Sequence, residues 1–154
     1  MAKNNDDKGI SLAKGPVGIV GIVLLALGIL GFIFAGRDFA IDFPDGTQNG
    51  EAFLGFEANG WTNLLMVVSG ALLLFGAPLH WVAKSLSLIV GLVLGAVSVI
   101  SLVDSDDALG IFAANGPTKL LLGAAAAVLI VLSLLPRVGG GRKDDDREGA
   151  RVRR

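Results

Sequence analysis

Long apolar runs alternate with short charged segments along the chain. Four runs cover residues 16–35, 61–79, 85–103 and 118–135, and Lys119 is the single charged residue within them. A bilayer core of about 30 Å needs roughly 20 apolar residues in a helix, and a helix satisfies its own main-chain hydrogen bonds in lipid. The pattern therefore predicts an all-α membrane protein with four transmembrane helices.

The same pattern divides the chain into three parts. We expect an N-terminal tail at residues 1–14, a four-helix transmembrane domain at residues 15–136, and a disordered charged tail at residues 137–154. The basic residues before the first run leave a cleaved signal peptide as an alternative. The run is longer than the apolar segment of a signal peptide and no typical cleavage site follows it, so a retained helix is favoured.

Lys and Arg are concentrated on one side of the predicted membrane domain. The two tails and the connection between the second and third runs carry 11 of them, whereas the two opposite loops carry 2, including Lys119. Because the side richer in Lys and Arg is usually cytoplasmic, we expect both termini in the cytoplasm and the protein in the plasma membrane. Acidic residues follow the opposite trend, so the net charge of −1 divides into −6 outside and +5 inside.

Composition narrows the function classes. The chain is 53% hydrophobic, 18% charged and free of Cys, which excludes an ordinary soluble domain, a disulfide-stabilised fold and a basic nucleic-acid-binding protein. Its one His, His80, lies at the inner boundary, and no Ser of the runs has a partnering His for nucleophilic catalysis. The acidic loop at residues 42–46 lacks the spacing of a calcium loop. We therefore predict that the protein is not an enzyme and has no catalytic residue, cofactor or metal site.

Two stretches of the chain resemble each other. Leu54-Gly55 leads to Ala-Asn-Gly at residues 58–60 before the second run. Leu109-Gly110 leads to the same triplet at residues 114–116 before the fourth run, with one residue inserted. The shared motif indicates an internal repeat.

The first and third runs also align, with residues 20–26 matching residues 90–96. The chain is therefore predicted to form two tandem helical hairpins that cross the membrane in the same orientation. A pseudo-twofold axis would then lie along the membrane normal, whereas many secondary transporters have inverted repeats with the axis in the membrane plane. This difference disfavours a transporter.

Asn59 and Asn115 stand just before the second and fourth runs, where Asn is a favoured helix N-cap. We expect both to cap helices, and a paired ligand site facing outward is the alternative. Small residues let helices approach closely in a membrane, and they predict helix packing at Gly21, Gly28, Gly91, Gly95 and Gly123. Packing within one chain is favoured over packing between chains.

Asn63 and Lys119 occupy matching positions one turn inside the second and fourth runs. A Lys at a helix N-terminus opposes the helix dipole, so we expect Lys119 to reach outward or to pair with an outer acidic residue. The alternative is an outer polar site, formed with Asn63, that contacts a solute or an ion. Polar groups at membrane depth are costly and often functional.

The motifs resemble those of a family of small, mainly actinobacterial four-helix integral membrane proteins that is classed as a domain of unknown function. The resemblance covers about residues 16–136 and rests on the Leu-Gly and Asn-Gly motifs of the two hairpins. Members of that family tend to carry His early in the second and fourth helices. Here the candidate positions hold Thr62, Asn63, Met66, Thr118, Lys119 and Leu122. The resemblance therefore implies a fold, and no metal-related or haem-related role carries over.

The leading hypothesis is a non-enzymatic structural or accessory subunit of a cell-envelope complex. It is motivated by the signals for tight helix packing and by the lack of an ionisable residue deep in any run. The alternative is a small oligomeric transporter or channel for an unknown solute, with Asn63 and Lys119 near its outer opening. The expected partners are the lipid bilayer and either another membrane protein or a second copy of the chain, with no nucleic acid.

Overall fold

The computed structural model describes residues 14–41, 50–103 and 107–135. Four helices and four short strands lie within these residues. They are α1 (Lys14–Phe34), β1 (Glu51–Phe53), β2 (Phe56–Ala58), α2 (Gly60–Gly76), α3 (His80–Val103), β3 (Asp107–Ala108), β4 (Phe112–Ala113) and α4 (Gly116–Leu134). Strand β1 pairs with β2 and β3 pairs with β4, both antiparallel.

Three of the four helices, α1, α3 and α4, are long and apolar enough to cross a membrane. Helix α2 is shorter, with 17 residues, or about 26 Å at 1.5 Å per residue. The predicted second and third spans need correction, because α2 ends at Gly76 rather than at residue 79 and α3 begins at His80 rather than at residue 85. Pro78 accounts for the end of α2: Ala77 still has helical backbone (φ −53°, ψ −37°) and donates to the carbonyl of Leu73, but proline has no N–H to make the next bond of the helix.

A β-hairpin precedes α2 and another precedes α4. The sequence pattern predicts neither, because strands of two or three residues give too little alternation of polar and apolar positions. Both hairpins turn at a Leu-Gly pair in left-handed backbone, with φ of +53° at Leu54 and +58° at Leu109. The first loop has two residues between its last paired residues and the second has three. The residue inserted in the sequence alignment therefore lies in the second turn.

Helices α1 and α2 pack along each other in opposite directions, as do α3 and α4. In the first pair, Gly21 lies against Leu73 of α2, and Gly28, nearer the end of α1, lies against Val67. The second pair has corresponding close approaches at Gly91 and Gly123, and a looser contact between Gly95 and Ala126. The glycines expected to pack helices therefore lie at contacts between helices of the same chain.

Buried apolar residues repeat from one helix pair to the other. When residues are counted from the aligned segments, Leu24 matches Leu94 and Leu73 matches Leu129. All four side chains are buried between the helices. Each helix pair thus buries one leucine from each of its helices at positions that match in the sequence alignment.

Large apolar side chains cover the outside of the helices, and the side chains between the helices include buried leucines together with small and polar residues. Lipid is the environment in which an apolar exterior and buried polar groups are stable. The arrangement, together with the three long apolar helices, indicates a membrane protein. Exposed apolar residues include Ile19, Ile22, Leu72, Phe75, Ile89, Leu92, Leu120 and Val131.

Candidate functional site

Four polar side chains meet where α2 and α4 begin, beside the two β-hairpins. They are Asn59 and Thr62 from the first half of the chain, which contains α1, β1, β2 and α2, and Asn115 and Thr118 from the second half, which contains α3, β3, β4 and α4. We call them the Asn–Thr cluster. Asn59, Thr62 and Thr118 have no exposed surface. Buried polar groups need hydrogen-bond partners, so the partners define what this cluster does.

Each Asn first caps its own helix. Asn59 has extended backbone, and its side-chain oxygen accepts from the main-chain N–H of Thr62 at 2.9 Å. Asn115 does the same for Thr118 at 3.1 Å. The Asn-Gly-x-Thr spacing places the Thr at the third helical position, where the N–H has no partner within the helix.

Each Asn also binds the opposite half of the chain. The side-chain amide of Asn59 donates to the carbonyl of Ile111 at 2.7 Å. That of Asn115 donates to the carbonyl of Gly55 at 2.9 Å. Both acceptors belong to the β-hairpin loops, each four residues before the Asn of its own half.

The two threonines also donate hydrogen bonds, each to the opposite half of the chain. The hydroxyl of Thr62 donates to the carbonyl of Ala113 at 2.8 Å, and that of Thr118 donates to the carbonyl of Glu57 at 2.8 Å. Each acceptor lies two residues before the opposite Asn. The side chains of the Asn–Thr cluster therefore donate four hydrogen bonds between the two halves, in two matching pairs.

The exchange is not fully symmetric. The side-chain oxygen of Asn115 also accepts from the main-chain N–H of Glu57 at 3.2 Å. Asn115 is partly exposed, whereas Asn59 is completely buried. Loss of the side chain is thus expected to cost more at Asn59.

Asn63 lies one turn further into α2 and binds α1. Its side-chain amide donates to the carbonyl of Gly36 at 2.9 Å, and the side chain is 1% exposed. Gly31 makes room for it, since a Cβ at that position would overlap the side-chain oxygen of Asn63. Asn63 also lines a cavity of about 20 Å³ together with Phe53 and Met66, which is room for one water molecule.

Lys119 occupies the matching position in α4 but contacts a different helix. Its main-chain carbonyl accepts from the hydroxyl of Ser98 in α3 at 2.8 Å. The side chain is 6% exposed, which does not fit the expected outward-reaching side chain. Pairing with an outer acidic residue stays a prediction. Asn63 and Lys119 thus lie in different helix pairs, one against α1 and the other against α3.

The sequence did not reveal the roles of Thr62 and Thr118. Both threonines stand three residues after an Asn in the repeated motif, and that spacing was the available signal. Their acceptors are main-chain carbonyls, which every residue carries, so the sequence cannot indicate which carbonyl is used.

Some predicted features lie outside the described residues. Within the part of the chain that the structure describes, no three His, Asp or Glu side chains come together as a metal site. Helix α3 begins at His80, whose side chain lies outside the described part. Residues 42–49 and 104–106, which include acidic residues of the outer loops, also lie outside the described residues, as do residues 1–13 and 136–154 of the two tails.

A family model described as Domain of unknown function (DUF4383) matches residues 17–135. The chain belongs to this family. The match includes the whole Asn–Thr cluster and nearly all of the four helices, so it confirms the resemblance to a family of unknown function. Searches of curated proteins and of solved structures gave no match.

Proposed function

We propose that the protein is a non-enzymatic integral membrane protein that serves as a structural or accessory subunit of a cell-envelope complex. One observation carries this proposal: the Asn–Thr cluster bonds to main-chain groups of the chain itself. Polar side chains held in this way stabilise a scaffold. An active site would instead direct polar groups toward a bound molecule.

The cavities among the described residues support the same proposal. The cavity beside Asn63 has room for about one water molecule. An apolar groove of about 200 Å³ runs between α1 and α4, and its lining includes Val20, Leu24, Leu121 and Ala125. Such a groove suits hydrocarbon and offers a polar solute no hydrogen-bonding group.

The proposal includes a topology. All four helices cross the plasma membrane, both termini are cytoplasmic, and the β-hairpins face outward, as the distribution of Lys and Arg favours. The chain is a tandem repeat of two parallel hairpins, which the matching buried leucines and the reciprocal hydrogen bonds support. With 17 residues, α2 is at the lower end of the length that spans a bilayer.

Purification from the native membrane tests the accessory role. A chain tagged after Arg154 should retain a partner in constant ratio when it is extracted in a mild detergent. A harsh detergent that dissociates membrane complexes is the control and should release the partner. Recovery of the chain alone from the mild detergent, at several expression levels, would contradict the proposal.

A transporter is the second candidate, and the burial of two polar side chains at membrane depth favours it. Asn63 is 1% exposed and Lys119 is 6% exposed. If Lys119 contacts a transported solute, Lys119→Met should change the flux through chains reconstituted in vesicles. Unchanged flux, measured beside an equal amount of unaltered chain, would remove the main residue on which this candidate depends.

A further inference from the structure

The two halves of the chain present matching surfaces to each other. The first surface has donors on Asn59 and Thr62 and acceptors on the carbonyls of Gly55 and Glu57. The second has donors on Asn115 and Thr118 and acceptors on the carbonyls of Ile111 and Ala113. We call each surface a pairing face.

The pairing faces are related as in a symmetric dimer. In a twofold interface the same patch is used on both subunits, so that each residue's contact is returned by its counterpart. Here Asn59 reaches the carbonyl four residues before Asn115, and Asn115 reaches the carbonyl four residues before Asn59. A single surface design is thus used twice within one chain.

We propose that each pairing face recognises a helical hairpin of the same kind, which in this chain is the other half. This recognition, rather than the covalent α2–α3 connection, holds the two halves together. The partner is defined by its chemistry. It is a helix capped by Asn with Thr three residues later, preceded by a β-hairpin with free carbonyls two and four residues before the Asn.

Burial makes the recognition selective. Asn59, Thr62 and Thr118 are completely buried when the two faces meet. A partner whose main chain does not place its carbonyls at the matching points would leave these donors unpaired, which costs more than the bonds themselves contribute. A hairpin with the same spacing satisfies all of them.

Packing elsewhere between the halves is less complete. Contacts between the first and second helix pairs are sparse compared with those within each pair. The groove between α1 and α4 leaves about 200 Å³ unfilled beside Val20 and Leu121. The Asn–Thr cluster is therefore the contact that sets how the halves are aligned.

A cut chain tests the proposal. A protease site is inserted in the connection at residues 77–79 of the full-length chain, and the purified protein is cut after folding in mild detergent, with a different tag on each end. We expect the two halves to remain together through affinity purification on either tag. Separation of the halves as soon as the unaltered sequence is cut would overturn the proposal.

Paired variants show whether the pairing faces are responsible. In the cut protein, Thr62→Val with Thr118→Val removes two cross-hairpin hydrogen bonds at nearly constant volume. The dissociation constant of the halves should rise about fivefold for each lost bond, and so about 25-fold for both. Thr62→Ser with Thr118→Ser keeps both hydroxyls and should restore pairing.

Ser133→Ala is the matched control. It removes a hydroxyl bond to the carbonyl of Ile130 within α4, so pairing should not change. Each variant is compared with its own uncut form, whose single symmetric elution peak shows that it has folded. Equal dissociation of the Val and Ser variants would contradict a role of the hydroxyls and overturn the proposal.

Discussion

The side-chain amide of Asn59 donates to the carbonyl of Ile111 at 2.7 Å, although the two residues belong to different halves of the chain. The same side chain caps α2 through its oxygen. One residue therefore begins a helix and fixes the position of that helix against the other half. The sequence suggests the first role, and the fold adds the second.

Replacement of Asn59 should separate these two roles. Asn59→Ala removes both the cap and the bond to Ile111, and should lower the free energy of unfolding by about 2–4 kcal/mol. Asn59→Ser keeps a capping oxygen but lacks the amide donor, so roughly half of that loss is expected. Thermal unfolding in detergent measures both variants.

Asn115→Ala provides the comparison. Because Asn115 is partly exposed, water can replace part of what its side chain provides, and a loss of about 1–2 kcal/mol is expected. A larger loss at Asn115 than at Asn59 would contradict the assignment of the more buried bond to Asn59.

The extent to which the sequence predicts this fold depends on how local each interaction is. The apolar runs predict the helices, because helix formation and lipid exposure depend on nearby residues. The caps at Asn59 and Asn115 follow from single positions beside those runs. The bonds from Thr62 and Thr118 to the opposite half depend on the pairing of distant segments, and a Thr in a sequence carries no sign of such an acceptor.

Two glycines, Gly28 in the first helix pair and Gly95 in the second, should differ in their tolerance of a methyl group. A Cβ at Gly28 would lie 2.8 Å from the main-chain oxygen of Asn63, whereas one at Gly95 would lie 3.4 Å from the side chain of Ala126. Gly28→Ala should destabilise the protein by about 1–3 kcal/mol, because α1 and α2 must move apart.

Gly95→Ala should be neutral or stabilising by up to about 1 kcal/mol, since Ala favours helix over Gly and the contact at 3.4 Å is ordinary packing. Midpoints of thermal unfolding measured in one detergent compare the two variants. A similar effect of both variants would show that helix propensity, rather than close helix approach, determines the result.

The turn at Leu54 should be improved by asparagine. Leu54 has φ of +53° and is 72% exposed, so it adopts left-handed backbone without burying its side chain. That conformation costs an ordinary residue about 1–2 kcal/mol, and Asn adopts it more readily, especially before Gly. Leu54→Asn should therefore raise the free energy of unfolding by about 1 kcal/mol. A lower unfolding temperature would instead show that the leucine side chain makes a stabilising contact.

Two buried serines of α3 should respond in opposite directions. Among the described residues, the hydroxyl of Ser87 is the one buried side-chain polar atom without a hydrogen-bond partner. The hydroxyl of Ser101, equally buried, donates to the carbonyl of Val97 at 2.8 Å. Ser87→Ala should stabilise the protein by about 1 kcal/mol and Ser101→Ala should destabilise it by a similar amount. Destabilisation by both substitutions would indicate that Ser87 has a partner in the folded protein in detergent.

The proposed orientation can be tested at two exposed leucines at opposite ends of the bundle. Leu54, at the tip of the first β-hairpin, is 72% exposed, and Leu79, in the α2–α3 connection, is 61% exposed. Because the chain has no Cys, Leu54→Cys and Leu79→Cys each introduce a single reactive thiol. A maleimide that cannot cross membranes should label Leu54→Cys in intact cells, but label Leu79→Cys only after the membrane is permeabilised. The unaltered chain controls for labelling elsewhere. The α2–α3 connection lies at the same end of the bundle as the start of α1 and the end of α4. The reverse labelling pattern would therefore place the termini outside and contradict the orientation that the Lys and Arg distribution favours.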